Sequence, residues 1–161
     1  MNTSALISPA TPADLPLLLQ LVGELAAYEH LTHQLSATPA LLERGFFGDP
    51  PLIFGLIARV DEEVVGFATY CLHFSTFVGR PSLWVEDIFV RPQARKAGHG
   101  MALFRALAAA ASARDCGRME WSVLNWNQTA IDFYRRCGGT LLDEWTMVRL
   151  DADGVFRLKR G

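Results

Sequence analysis

The sequence predicts an α/β fold of mixed topology, a central sheet of about seven strands flanked by about four helices. Three observations lead there. Apolar residues recur at helical spacing from Leu15 to Ala26 and again from Met101 to Ala111. Between these stretches lie three β-rich runs, Leu52 to Val60, Val64 to Phe74 and Leu83 to Arg91. With the segments that follow, the order reads β-α-α-β-β-β-α-β-α-β-β. The length of 161 residues suits a single domain over 1–161.

Ala5-Leu6-Ile7 reads as a short first strand. Thr11-Pro12-Ala13-Asp14 then supplies a cap, a proline at the first helical position and an acid three residues after the cap, so a helix runs from Pro12 to about His30. Thr38-Pro39 repeats the start signal for a shorter helix ending near Gly45 to Gly48. The first two of the three strands join at Asp61-Glu62-Glu63, and the third stops at Pro92. A long helix from Gly98 to about Asp115 is expected to bury Met101, Phe104, Leu107, Ala108 and Ala111. Arg118 to Val123 reads as a strand, and Asn127 to Cys137 as a helix stopped by Gly138-Gly139. Two last strands, about Thr140 to Leu150 and Val155 to Lys159, are expected to pair around Asp153-Gly154.

Composition narrows the function. Half the residues are hydrophobic and 20% are charged, which excludes a disordered chain. A net charge of −2 gives no bulk attraction to nucleic acid. No uninterrupted apolar run reaches about 20 residues, so no membrane span is expected. The N-terminal stretch has no basic start and is broken by Asp14 and two prolines, unlike a signal peptide. Cys71, Cys116 and Cys137 are odd in number and lack metal-ligand spacing, so reduced thiols in a cytoplasmic protein and no metal site are expected. The charge is unevenly spread. No Lys or Arg precedes Arg44, while Arg91, Arg95, Lys96, Arg105 and Arg114 carry all the formal charge from Ile88 to Arg114. That suits a cationic substrate and an anionic cofactor, although each residue singly is equally an ordinary solvated charge.

The chemistry concentrates in Val85-Glu86-Asp87-Ile88-Phe89-Val90-Arg91-Pro92 and the Arg95-Lys96-Ala97-Gly98-His99-Gly100 turn. The turn opens a helix whose first N–H groups lack helical partners and can take a phosphorylated ligand. No Gly-Lys-Ser/Thr follows the glycines, which removes a P-loop. Gly98-x-Gly100 with Glu120 downstream begins a dinucleotide fingerprint, but Leu103 holds its third glycine position and too little chain follows. By spacing alone, ligand binding and plain turn geometry remain equal accounts. Glu86 and Asp87 face opposite sides of a regular strand, and a bulge redirects either. An acid in so apolar a run needs a pairing arginine or a function. Asn127 is accounted for as a helix cap. Tyr134 shares a helix face with Ala130, Phe133 and Cys137, which makes it a packed tyrosine unless its hydroxyl meets a leaving group.

Taken together, the strand before Pro92, Arg95-x-x-Gly98-x-Gly100, Asn127 and Phe133-Tyr134 before Gly138 resemble the GCN5-related N-acetyltransferase (GNAT) family over essentially the whole chain. Within it, the chain is similar to the diamine (spermidine/spermine) and thialysine acetyltransferases. The points of similarity are Glu24-Leu25-Ala26-Ala27-Tyr28-Glu29, Val65-Gly66-Phe67-Ala68, Glu86-Asp87-x-Phe89-Val90 and Trp126-Asn127. The resemblance implies a GNAT-like fold and an acetyl-CoA-dependent enzyme. Its acceptor would be a primary amine of a small molecule, attacking directly in a ternary complex.

The resemblance also implies site residues. Acetyl-CoA would meet Ile88, Phe89 and Val90, then Arg95, Lys96, Ala97, Gly98, His99, Gly100 and Met101, and on the later helix Asn127, Thr129, Ala130 and Tyr134. Glu86 would remove the amine proton, directly or through water, and Tyr134 would protonate the departing thiolate. Tyr28, Glu29, Glu86, Asp87 and Trp121 would line the acceptor pocket, and a homodimer is implied. The polyamine enzymes carry an acid where Ser75 stands here, which favours a shorter diamine, a thialysine-like or another small amine. The alternatives are acetylation of a protein N-terminus or lysine, and a non-catalytic acyl-CoA-binding module.

Overall fold

The computed structural model of the chain describes residues 4–160. Among them, one sheet holds β1 (Leu6–Pro9), β2 (Phe54–Val60), β3 (Glu63–Ser75), β4 (Arg80–Val90) and β5 (Arg118–Trp121), side by side in chain order. The first four are antiparallel neighbours, and β5 runs parallel to β4. The helices are α1 (Leu15–Tyr28), α2 (Pro39–Phe47), α3 (His99–Ser112), α4 (Gln128–Arg136) and α5 (Ala152–Arg160). The mixed α/β class stands, with five strands where the sequence predicts about seven.

Local signals explain the early elements. The Thr11 amide and hydroxyl both donate to Asp14 Oδ2 at 2.8 Å, closing the turn that leads into α1. The Thr38 hydroxyl accepts from the Leu41 N–H at 3.3 Å and starts α2. Asp61 and Glu62 take positive φ in the tight connection from β2 to β3.

Helices cover both faces of the sheet. On one, Leu103 and Leu107 of α3 bury against Leu83 and Val85 of β4; on the other, Leu18, Leu21 and Leu25 of α1 and Phe46 of α2 bury against Ile57, Phe67 and Phe89. Burial of one such leucine stabilises by about 1.5–3 kcal/mol. The buried line of α3 is His99, Leu103, Leu107 and Ala111, one stripe round from the expected one. Met101 and Ala108 lie off it. In an alanine-rich helix neighbouring i, i+4 stripes are almost equally apolar, so the sequence does not choose between them.

The chain divides into two compact units after Ser122. In the second, α4 is followed by Gly138 at φ 87°, and the Gly139 N–H returns to the Tyr134 carbonyl at 2.9 Å. The two expected final strands are absent among the described residues: 140–150 is irregular and Ala152–Arg160 is helical. A local cap prevails over the Asp-Gly turn signal. Asp151 Oδ1 accepts from the Gly154 N–H at 2.7 Å, with Asp153 in the first turn and Arg157, Lys159 and Arg160 in the last.

Candidate active site

β4 carries an irregularity at the acids. Thr69 of β3 stands opposite Asp87 and Tyr70 opposite Val85, so Glu86 is an extra residue with no cross-strand partner. Val85 and Ile88 both pack on the α3 side, whereas Phe89 packs on the α1 side. Two residues therefore intervene between consecutive α3-side positions, and both turn to the α1 side. The Trp84 indole N–H donates to Glu86 Oε2 at 2.9 Å, and the Thr69 hydroxyl donates to Asp87 Oδ2 at 2.6 Å. The bulge thus replaces the opposite-face arrangement of a regular strand and sets both carboxylates on one face.

Their surroundings differ. Glu86 is exposed and Asp87 is mostly covered. Burial raises the proton affinity of Asp87; the Thr69 hydrogen bond opposes this, and the Glu86 charge adds to it. Glu29, just past α1, is shifted upward in the same way by burial and then by the charge of Asp87. Among the described residues none of Glu29, Glu86 and Asp87 pairs with a cation. Further along this face, Glu120 is engaged by His73 at 3.2 Å and Arg118 at 3.0 Å. Glu24 is engaged as well: two Arg91 nitrogens donate to it at 2.7 and 2.8 Å, and this contact holds its carboxyl below the ordinary range.

Beyond the bulge β4 loses one neighbour. Its pairing with β5 ends at Val85 opposite Trp121, while its pairing with β3 continues to Val90. From Glu86 to Val90 the β5-side backbone edge therefore has no sheet partner among the described residues. Such an edge accepts an extended, amide-bearing chain by main-chain hydrogen bonds. Immediately after it comes the turn. Lys96 has φ 68° and Gly98 φ 88°, and a Cβ built on Gly98 meets nothing within 4 Å. The N–H groups from Lys96 through Met101 donate to no backbone carbonyl among the described residues; helical bonding resumes with the Ala102 N–H on the Gly98 carbonyl at 3.0 Å. Open edge, open glycine and free amides fit the pantetheine and pyrophosphate of a CoA thioester.

The predicted site residues are distributed unevenly. Tyr28 lies close to the Phe89 ring, at 6.2 Å between centroids. Arg95, expected on phosphate, stacks its guanidinium 4.3 Å from the Tyr28 ring centre and donates from Nε to the Val90 carbonyl at 2.9 Å. It therefore ties the turn to the end of α1. Trp121 is not brought to the acids: it packs edge-on against Phe104, at 5.1 Å, on the α3 side. In the second unit, Asn127 Oδ1 accepts from the Ala130 N–H at 3.2 Å and caps α4, so Thr129 and Ala130 fall in its first turn. Tyr134 is buried one turn later, its ring 5.5 Å from Phe133. Sequence reasoning missed Thr69 and His73. The alternation of β3 carried the signal, since Thr69, Cys71 and His73 interrupt an apolar strand at every second position.

The sequence matches the family model described as the acetyltransferase (GNAT) family over residues 19–139. It is 30% identical over 166 residues to a thialysine N-epsilon-acetyltransferase of Sus scrofa, covering 96% of this chain and 97% of that protein. An L-ornithine N5-acetyltransferase of Arabidopsis thaliana is 28% identical over 191 residues, covering 91% and 84%. Among solved structures, an integron cassette protein from the mobile metagenome of V. cholerae superposes with a TM-score of 0.81 at 26% identity, covering 98% and 99% of the two chains.

Proposed function

The chain belongs to the acetyltransferase (GNAT) family, and from that premise we propose that it moves an acetyl group from acetyl-CoA to a primary amine of a small diamine, polyamine or thialysine-like molecule. Residues 1–161 act as one catalytic domain in this reading. The observation that carries it is the face holding Glu29, Glu86 and Asp87 without a cation, set beside an unpaired strand edge and an amide-rich turn. Acetyl-CoA, when bound, supplies an activated thioester.

This chain's residues do the rest. The β4 edge from Ile88 to Val90 and the amides of Lys96, Ala97, Gly98, His99, Gly100 and Met101 hold and orient the donor, and the family resemblance adds Asn127, Thr129 and Ala130 to its contacts. The acids draw in the ammonium. An alkylammonium near pKa 10.4 must lose its proton before attack, at a cost of about 4.6 kcal/mol at pH 7. Glu86 and Asp87 divide that work. Asp87, with its affinity raised by burial, takes the proton; exposed Glu86 attracts the ammonium first, directly or through water. This moves the base one residue along from where the family resemblance puts it. Tyr28 and Glu29 close the amine pocket, and the Tyr134 hydroxyl protonates the leaving thiolate in a direct, ternary-complex transfer.

Ser75 supports a short acceptor. It is buried at the end of β3, where its hydroxyl accepts from the Val78 N–H at 3.3 Å and so supplies no charge to a long polycation. A cytoplasmic homodimer completes the proposal. The test is release of CoA thiol with a panel of diamines, ornithine, thialysine, an N-terminal peptide and a lysine peptide. Small amines are expected to give the highest kcat/KM. Preference for the peptides makes this a protein acetyltransferase, and donor binding with no amine-stimulated release makes it an acyl-CoA-binding module.

A further inference from the structure

Beyond the acids the same sheet face carries a second cluster, wholly within the first unit. His73, Ser82 and Arg118 stand in one row across β3, β4 and β5, and Cys71, Trp84 and Glu120 in the next. Met119 and Trp121 pack on the α3 side, so Arg118 and Glu120 turn to the acid face. Glu120 Oε2 meets His73 Nε2 at 3.2 Å and Arg118 Nε at 3.0 Å, and thus bridges over the strand that carries Ser82. Under that bridge Ser82 is fully buried, and its hydroxyl has no hydrogen-bond partner among the described residues. A buried hydroxyl ordinarily has one. The side chains of His73 and Arg118 are 43% and 42% exposed against 25% for Glu120, so the cluster shows solvent a basic rim over a covered acid.

Charge therefore changes along this face. Acids without a cation lie at one end and a basic rim at the other, with Trp84 between them, its indole N–H on Glu86. Resting on the reading of the acids as the amine pocket, we propose that the rim is a distal acceptor subsite that reads a carboxylate on the same molecule. Arg118, permanently charged, is its principal ligand, and the Ser82 hydroxyl takes an oxygen as the Glu120 bridge yields. A second ammonium is the wrong partner here, because it meets the Arg118 guanidinium first. The spacing suits the pair. Trp84 and Ser82 lie two and four residues before Glu86 on β4, about 7 and 13 Å at about 3.3 Å per residue. An ω-amine and a carboxylate a short methylene chain apart, each with a hydrogen bond of about 2.9 Å, fit between those limits, and the chain lies along the Trp84 ring. The acceptor class is thus an amino acid presenting an ω-amine, not a plain diamine or polyamine, and Arg118 determines that specificity.

Ornithine and 1,4-diaminobutane, which differ by the carboxylate alone, test this by thiol release from acetyl-CoA. The native chain is expected to favour ornithine about tenfold in kcat/KM, chiefly through KM, the scale of one charge-assisted contact. Arg118→Met is expected to bring the two within about twofold, with the loss falling on ornithine, and Arg118→Lys to restore part of the preference. Equal kcat/KM in the native chain, or a preference for the diamine, overturns the subsite while leaving the amine acetyltransferase standing. An Arg118→Met variant that lowers both acceptors alike, or keeps the full preference, overturns it equally. No amine-stimulated release with either acceptor overturns the acetyltransferase reading and the subsite with it.

Discussion

The bulge of β4 and the turn that follows it are cut from the same run of chain and work by opposite means. At the bulge the chemistry belongs to side chains. One extra residue turns two carboxylates to a single face, and burial tunes one of them. At the turn the chemistry belongs chiefly to the backbone. Arg95 spends itself on Tyr28 and the Val90 carbonyl, and the turn offers a ligand a run of backbone N–H groups. The difference teaches that changes at the two places should separate, the bulge affecting acceptor chemistry and the turn affecting donor affinity.

Asp87→Asn should show the largest effect. It is expected to lower kcat/KM for the amine by about 10²–10³-fold while leaving acetyl-CoA affinity within twofold, the range of a lost general base. Comparable losses in both parameters would dissolve the distinction. Gly98→Val works from the other side. It forces a β-branched residue to φ 88° and fills the space over the turn, so acetyl-CoA affinity should fall by about tenfold or more, with the amine KM little changed. Tyr134→Phe is expected to reduce kcat by about tenfold at unchanged donor affinity, and unaltered turnover would remove its role.

A smaller effect concerns stability. Asp87 binds its proton more tightly folded than unfolded, so it favours the folded state at low pH and works against it once pH exceeds its folded pKa. Thermal melts should therefore find Asp87→Asn more stable than the native chain at pH 7 to 8, the gap closing as pH falls. A gap independent of pH would show that packing, not ionisation, is responsible.

Where the sequence was legible, one local signal had no competitor. Thr11-Pro12 and Thr38-Pro39 announce α1 and α2, and Pro92 with the two glycines announces the turn. The unpaired edge past Val85 was hidden, because strand length says nothing of where a neighbouring strand stops. So was the side to which Glu86 and Asp87 turn, which depends on a single unpaired residue across from Thr69 and Tyr70. At the C-terminus two signals competed. Asp153-Gly154 reads as a hairpin turn, and Asp151 as a helix cap three residues before Gly154; in the structure the cap prevails. Leu142, Trp145, Met147 and Val148 remain exposed, and their β-like character finds no partner strand among the described residues.

The central claim is that the acids of the bulge share one face but not one role. The most direct measurement is the pH dependence of kcat/KM for the best amine, in the native chain, Glu86→Gln and Asp87→Asn. The expected result is a native acid limb that Glu86→Gln keeps while raising KM, and that Asp87→Asn abolishes along with most of the rate. If Glu86→Gln abolishes the limb and Asp87→Asn stays within threefold of the native chain across pH, Glu86 is the base and the division of roles is wrong.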